Sequence, residues 1–254
     1  MALLDVSDVS VRFGGVVALD ALSFTIDAGQ ICALIGPNGA GKTTFFNVAT
    51  RIYLPSLGKV SFDGQDLLTM PAHRVATLGV TRTFQNLALF PGLSVLENVM
   101  VGAHSWSKGG FVTSAVRVPP VPREERRLRE EATGLLARLD LDALAHRPAA
   151  GLPYGTLKRI ELARAMASRP KLLMLDEPAS GLTHREVADL GELIRQLRDD
   201  YDLTVLLVEH HMNMVMSISE KVVVVEFGRK IAEGTPEVVA NDPRVIEAYL
   251  GTGE

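Results

Sequence analysis

The sequence predicts an α/β fold in which the strands of a parallel β-sheet alternate with helices. One observation is an apolar run at 31–35, followed by a glycine-rich loop and by the segment 42–49, which contains no helix breaker. Another is a pair of apolar runs at 171–176 and 203–209 on either side of an amphipathic helix predicted at 184–199. Strand, helix and strand in this order are typical of the βαβ unit of a parallel sheet. The apolar face of the predicted helix comprises Val187, Leu190, Ile194 and Leu197.

Alternating apolar and polar residues near the N-terminus predict half-exposed strands. The alternation is imperfect at 4–11 and clean at 22–26. A further short strand is predicted at 58–64, where it ends in an Asp-Gly turn. These segments indicate an antiparallel sheet early in the chain.

The strand pattern fades from about Asn86 to Pro170, which predicts a helical insertion. The helices expected there lie at 94–102, 123–139 and 157–167. We therefore expect one domain over residues 1–254. Within it, residues 87–170 form a helical subdomain, and residues 1–86 and 171–254 form the β-subdomain and the parallel-sheet core.

Composition excludes several classes of protein. The 254 residues are 47% hydrophobic, which allows a large core, and the net charge of −4 argues against nucleic acid as a partner. No run reaches the roughly 18 apolar residues of a membrane span, and the N-terminus lacks the features of a signal peptide. We therefore expect the chain in the cytoplasm. Its single cysteine, Cys32, lies in an apolar predicted strand, where core packing is expected.

A complete Walker A phosphate loop follows the predicted strand at 31–35. It comprises Gly36, Pro37, Asn38, Gly39, Ala40, Gly41, Lys42, Thr43 and Thr44. The glycines allow the backbone to curl around a β-phosphate with its N–H groups directed inward. We expect Lys42 to reach the β- and γ-phosphates and the Thr43 hydroxyl to bind Mg²⁺. The alternative, a glycine-rich turn that only caps a helix, is disfavoured by the strand before the loop and the helix after it.

Two adjacent acids end the apolar run at 171–176. Asp176 matches a Walker B aspartate that holds Mg²⁺ directly or through water, and Glu177 is placed to polarise the attacking water. The neighbouring predicted strand ends at Glu209, so that His210 can hydrogen-bond the γ-phosphate. A solvated turn and an ordinary surface histidine are the alternatives.

These motifs, in this order, resemble the nucleotide-binding subunits of ABC transporters over essentially the whole chain. Phe13 resembles the aromatic residue that stacks on adenine, and Gln85 resembles the Q-loop glutamine, a further Mg²⁺ ligand. Residues 152–156 stand where the signature motif belongs, and residues 180–183 resemble the D-loop. The resemblance implies an ATPase that uses ATP and Mg²⁺. It also implies a P-loop NTPase fold with a RecA-like parallel-sheet core, an N-terminal antiparallel β-subdomain and a helical insertion.

The resemblance further implies a partner cassette, with two ATP molecules bound between the two chains. Tyr154, Gly155 and Thr156 of one chain would then face the ATP of the other, and the helical insertion would contact a membrane permease. Two residues depart from the family pattern. Pro153 replaces the usual serine and offers neither a hydroxyl nor an N–H group, and Thr183 replaces the usual aspartate of the D-loop.

Within the family, the chain resembles the subunits that energise import of branched-chain amino acids. This resemblance depends on residues 84–90, the long stretch to Pro122, the tyrosine of the signature and the tail at 241–251. It implies a peripheral subunit on the cytoplasmic face of the inner membrane, with a different second cassette, permease subunits and a solute-binding protein. A homodimer is the alternative to the heterodimer. Urea and short amides are alternative solutes.

Two functions of another class share part of this pattern. An ABC-type ATPase that acts on DNA or ribosomes would carry a second cassette, a coiled-coil arm or a basic linker, and the chain has none of these. A small-molecule kinase would share the Walker A loop but would not need the signature segment.

Overall fold

The computed structural model of the protein describes residues 2–83, 87–103 and 120–250. The chain divides into two compact units, of which unit 1 comprises Met1–Arg82 and Lys171–Glu254 and unit 2 comprises Thr83–Pro170. Unit 2 thus begins at Thr83, whereas the insertion was predicted to begin at residue 87. Residues 84–86, which lie between these two starting points, are outside the residues that the structure describes.

An antiparallel sheet begins unit 1, as predicted. Its strand order is β2-β1-β4-β5. The strands are β1 (Ala2–Phe13), β2 (Val16–Asp27), β4 (Leu57–Phe62) and β5 (Gln65–Asp66). The imperfect alternation in β1 has a local cause, because the register with β2 shifts between Val6 and Val9 and Asp8 has a φ of +51°. Such a bulge turns successive side chains out of strict alternation.

The second sheet of unit 1 is parallel except at one edge and has the order β10-β9-β3-β8-β7-β6. Its strands are β3 (Ile31–Ile35), β6 (Val80–Arg82), β7 (Leu172–Asp176), β8 (Thr204–Val208), β9 (Lys221–Glu226) and β10 (Arg229–Gly234). Every residue of β3, β7 and β8 is buried, as expected for central strands covered on both faces. The predicted α/β fold is confirmed, whereas β6, β9 and β10 were not predicted.

The helices of unit 1 cover its sheets. They are α1 (Lys42–Ala49), α2 (Ala72–Thr77), α6 (His184–Tyr201), α7 (Met212–Ile218), α8 (Pro236–Ala240) and α9 (Pro243–Leu250). All four predicted apolar residues of α6 are buried. Thr183 caps this helix, since its hydroxyl accepts from the Glu186 N–H group and the Glu186 carboxylate accepts from the Thr183 N–H group.

Unit 2 is helical, as predicted. It contains α3 (Val95–Gly102), α4 (Pro120–Arg138) and α5 (Tyr154–Ala167). The backbones of α3 and α5 approach closely, because a Cβ atom on Gly102 would lie 1.9 Å from the Arg164 carbonyl oxygen. Among the described residues, no helix is both long enough and apolar enough to cross a membrane.

The start of α5 corrects the predicted helix at 157–167. The helix begins at Tyr154, with Pro153 as its N-cap residue at a φ of −54°. Proline is compatible with the N-cap position, because its fixed φ is allowed there and no hydrogen bond of the helix uses the N–H group of the N-cap residue. Tyr154, Gly155 and Thr156 therefore form the first turn of α5 rather than a loop before it.

Candidate functional site

The phosphate loop connects β3 to α1, the order that the sequence predicts. Gly36, Gly39 and Gly41 have φ values of +154°, +81° and +101°. Gly41 is the N-cap residue of α1 and, as a glycine, offers no side chain that could cap the first turn of this helix. The N–H groups at the positive end of α1 are therefore available to an anion.

Two of these glycines are required by the neighbouring backbone. A Cβ atom on Gly36 would lie 1.9 Å from the Val225 carbonyl oxygen, and one on Gly41 would lie 2.5 Å from the Ala18 carbonyl oxygen. The C-terminal helix α9 also contacts the loop. Burial raises the pKa of Tyr249 to about 12, and a hydrogen bond from the Gly36 backbone acts in the opposite direction. The backbone of the loop is thus packed against strands β9 and β2 and helix α9.

Gly36→Ala should destabilise the protein much more than Gly39→Ala. Both glycines have a positive φ, but a Cβ on Gly36 meets the Val225 carbonyl, whereas a Cβ on Gly39 has no atom within 4 Å. We expect Gly36→Ala to lower the free energy of unfolding by about 3 kcal/mol or more, and Gly39→Ala by about 1–2 kcal/mol from backbone strain alone. Urea unfolding of both variants measures this difference. Equal losses would contradict the close approach of Val225.

The Lys42 ammonium group lies within the loop. Its Nζ atom donates to the carbonyl oxygens of Gly36 and Pro37 at 2.7 and 2.9 Å. Burial lowers the pKa of Lys42, and the negative charges of Asp176 and Glu177 act in the opposite direction. The predicted lysine and the two predicted acids are therefore close enough to interact. Around them, Asn38, Gly39 and Thr43 are exposed, and Gly36, Pro37 and Thr44 are half-buried.

Asp176 is the last residue of β7, where its buried carboxylate pairs with Arg82. The Arg82 Nη2 atom lies 2.7 Å from Oδ2 of Asp176, and Nη1 donates to Oδ1 of Asn47 at 2.7 Å. The guanidinium group also lies over the Phe46 ring, 5.3 Å from its centroid. Arg82 therefore connects β6, α1 and β7 and holds the orientation of Asp176. Arg82 was not predicted from the sequence, because the strand β6 that carries it has only three residues and shows no pattern of its own.

Glu177 follows Asp176 with an unusual backbone. Its φ is +49°, and its N–H group donates to the Val208 carbonyl oxygen at 2.8 Å. A left-handed conformation is uncommon for a residue with a side chain, and in folded proteins it often marks a functional position. The Glu177 side chain is half-buried beside the tip of β8. The structure thus places the predicted base at the edge of the sheet that also carries His210.

The structure distinguishes the two adjacent histidines after β8. The His210 side chain is 61% exposed, whereas the Nδ1 atom of His211 lies 2.9 Å from Oε2 of the buried Glu209. Their rings are 4.4 Å apart. The possible ligand atoms of these three residues lie within 4.8 Å of one another. Because Oε2 of Glu209 already accepts from two backbone N–H groups, we assign this cluster to hydrogen bonding rather than to a metal.

Phe13 ends β1 with its ring 47% exposed. Tyr53, which was not predicted from the sequence, contacts this ring edge-on at a centroid distance of 5.2 Å. An exposed aromatic ring whose orientation is held by a neighbour is suited to stacking on a planar base.

The remaining predicted site residues are Gln85 and the three residues of the signature segment. Gln85 lies outside the described residues. Tyr154, Gly155 and Thr156 belong to unit 2, where they form the first turn of α5, and the N-cap residue Pro153 offers no side-chain hydrogen bond to this turn. The Tyr154 ring is 42% exposed and lies 5.7 Å from the buried Lys158 ammonium group. The role of Tyr154, Gly155 and Thr156 at the ATP of a second chain stays a prediction.

Comparison with known proteins identifies the relatives of the chain. The profile of a family described as "ABC transporter" matches residues 19–180, and a profile described as "Branched-chain amino acid ATP-binding cassette transporter" matches residues 229–254. The chain is 43% identical over 249 residues to the high-affinity branched-chain amino acid transport ATP-binding protein BraF of Pseudomonas aeruginosa, covering 98% of each. It is 42% identical over 249 residues to LivG of Escherichia coli, which has the same description, again covering 98% of each.

A solved structure also resembles the chain. The ADP conformation of MJ1267, an ATP-binding cassette of an ABC transporter, superimposes with a TM-score of 0.86 at 30% identity, and the match covers 99% of both chains.

Proposed function

The chain belongs to the ABC transporter family, and we propose that it is the ATP-hydrolysing subunit of an importer for branched-chain or other hydrophobic amino acids. One observation carries the ATPase activity: the phosphate loop, Lys42 and the acids Asp176 and Glu177 lie together in unit 1. The amino-acid substrate is supported by the likeness of the whole chain to BraF and LivG and by the matched C-terminal segment.

The residues of the loop would bind the nucleotide. Backbone N–H groups of the loop and of the first turn of α1 would donate to the phosphate oxygens, and the Lys42 ammonium group would pair with the β- and γ-phosphate oxygens. The exposed Phe13 ring would stack on the adenine. Because contacts with β9, β2 and α9 already hold the backbone of the loop in place, the loop would lose little conformational freedom when ATP binds.

Mg²⁺ fits the oxygen donors of this site. The exposed Thr43 hydroxyl and the Asp176 carboxylate are hard ligands of the kind that Mg²⁺ prefers, and Gln85 is the third proposed ligand. When bound, Mg²⁺ would neutralise charge on the phosphates. Arg82 would hold Asp176 in the required orientation.

Glu177 and His210 would act on the γ-phosphate side. We assign Glu177 as the general base that orients and polarises the attacking water, and His210 as a donor to the γ-phosphate. His210 suits this task better than His211, because the ring of His211 already faces Glu209.

A second cassette would complete the site. The uncapped first turn of α5, with Tyr154, Gly155 and Thr156, would face the ATP bound by the partner. A different cassette is the first expectation, and a second copy of this chain is the alternative. The partners would further include permease subunits and, indirectly, a solute-binding protein, with the chain peripheral at the cytoplasmic face of the inner membrane.

Capture from native membranes tests this proposal. A tagged Glu177→Gln chain is incubated with Mg-ATP, isolated and analysed by mass spectrometry, with Lys42→Ala as a control that does not trap ATP. We expect two permease subunits, a second cassette and a binding protein, whose solute is then found by a binding screen. A binding protein for urea or amides would change the substrate. DNA, ribosomes or only soluble partners would contradict the transport function and leave the ATPase activity intact.

A further inference from the structure

Glu209 is a buried acid between β8 and α7. Its side chain has an exposure of 0%. Glutamate is rarely buried unless its charge is paired or hydrogen-bonded, because removal of a carboxylate from water is costly. The hydrogen bonds that compensate for this burial therefore indicate what the residue does.

The two oxygens of Glu209 face two different segments of unit 1. Oε1 accepts from the Ala179 N–H group at 2.8 Å. Oε2 accepts from the N–H groups of His210 and His211 at 2.8 and 3.0 Å and faces Nδ1 of His211 at 2.9 Å. Burial alone raises the pKa of Glu209, but these hydrogen bonds outweigh burial and hold its pKa below the ordinary value. Glu209 is thus a carboxylate at neutral pH.

Each of these segments carries a residue proposed to act in hydrolysis. Ala179 belongs to the turn after Glu177, in which the Ser180 N–H group donates to the Glu177 carbonyl oxygen at 3.1 Å. His210 has an exposed ring, but its backbone is held by the Glu209 carboxylate. One buried charge therefore connects the turn of the general base to the backbone of the γ-phosphate donor.

We infer that Glu209 is a positioning residue that holds the Glu177 turn and the His210 backbone in one arrangement for hydrolysis. The inference rests on the proposed ATPase function. Because its side chain is fully buried, Glu209 would act through the two segments that it joins rather than by contact with the nucleotide. Loss of its charge should therefore slow hydrolysis and leave the loop that binds ATP unchanged.

Glu209→Gln breaks this connection with little change of shape. An amide presents one acceptor oxygen and one NH2 group, which only donates, so it cannot accept from Ala179 on one side and from both histidine N–H groups on the other. We expect kcat to fall about tenfold, because small displacements of catalytic groups have effects of this size or larger. The KM for ATP and the affinity for a fluorescent ATP analogue should stay within about twofold.

Glu220→Gln is the matched control. Glu220 is also a carboxylate of unit 1 that accepts a backbone hydrogen bond, from Ile31 at 2.6 Å, but it is exposed and lies outside the site. Both full-length variants are assayed for kcat, KM, analogue affinity and the midpoint of urea unfolding. Backbone amide resonances provide a readout that is independent of activity, and those of Ala179, His210 and His211 should shift in Glu209→Gln alone.

A loss in kcat with unchanged ATP affinity, seen for Glu209→Gln but not for Glu220→Gln, supports the inference. Equal kcat values in the two variants, or a parallel loss of kcat and affinity, would overturn it. If Glu209→Gln does not fold, Glu209→Asp replaces it: this shorter carboxylate cannot span both segments, and an unchanged kcat would again overturn the inference. An unaltered chain that neither binds nor hydrolyses ATP would instead contradict the proposed function.

Discussion

Glu177→Gln should bind ATP with near-normal affinity and hydrolyse it at least about a hundredfold more slowly than the unaltered chain, the scale on which a general base contributes. Glutamine has the shape of glutamate but cannot accept a proton from the attacking water. The variant also keeps the N–H group that donates to the Val208 carbonyl oxygen, so the backbone of this position should not change. Single-turnover hydrolysis and equilibrium binding of a fluorescent ATP analogue measure the two effects separately.

Glu192→Gln provides the control for this variant. Glu192 lies on α6, where its side chain is 53% exposed and pairs with Arg195 across one turn. Loss of an exposed ion pair of this kind has little effect, so hydrolysis should be unchanged. Near-normal hydrolysis by Glu177→Gln would remove Glu177 from the role of general base, and a weakened affinity for ATP would indicate that Glu177 contributes to binding instead.

Lys42→Ala should lose ATP binding, which is the second large effect. The ammonium group lies at the loop carbonyls of Gly36 and Pro37 and interacts with Asp176 and Glu177, so its removal leaves excess negative charge where the phosphates are to bind. Loss of a charge-assisted contact of this type costs about 2–3 kcal/mol, or on the order of a hundredfold in affinity. Titration with the fluorescent ATP analogue measures the loss.

Lys171→Ala separates this effect from the change in net charge. Lys171 is 59% exposed and pairs with Asp63 on the surface of unit 1, so the control removes one positive charge away from the loop. We expect its ATP affinity to match that of the unaltered chain. Equal losses in the two variants would show that overall charge, and not the position of Lys42, governs binding.

Much of the fold could be predicted because its signals are local. The glycine-rich loop between β3 and α1, the buried runs of β7 and β8 and the apolar face of α6 are all visible as patterns within a few residues. The start of α5 could not be placed in this way. Tyr154, Gly155 and Thr156 lack an apolar pattern of their own, and the effect of Pro153 as an N-cap residue was overlooked.

Three strands of the second sheet, among them both edge strands, were not predicted from the sequence. β6 comprises Val80–Arg82 only, and β9 and β10 form a hairpin beside β3. Three residues are too few to show a period, so the assignment of β6 depends on its pairing with β7. β9 is different, because its apolar run at 222–225 is a local signal of the same kind as those of β7 and β8. β6 is nevertheless important for the site, because it positions Arg82 next to Asp176.

By itself the sequence determined which groups are available: a complete phosphate loop, two acids at a strand end, a histidine at the next strand end and an aromatic residue near the N-terminus. Only the tertiary structure decided which residues fix these groups in position. Arg82 pairs with Asp176, Glu209 joins Ala179 to His210, and the Gly36 backbone contacts Tyr249. The physical reason is that a hydrogen-bonding or charged group is visible in the sequence, whereas its partner is set by the strand order, which brings distant residues within about 3 Å.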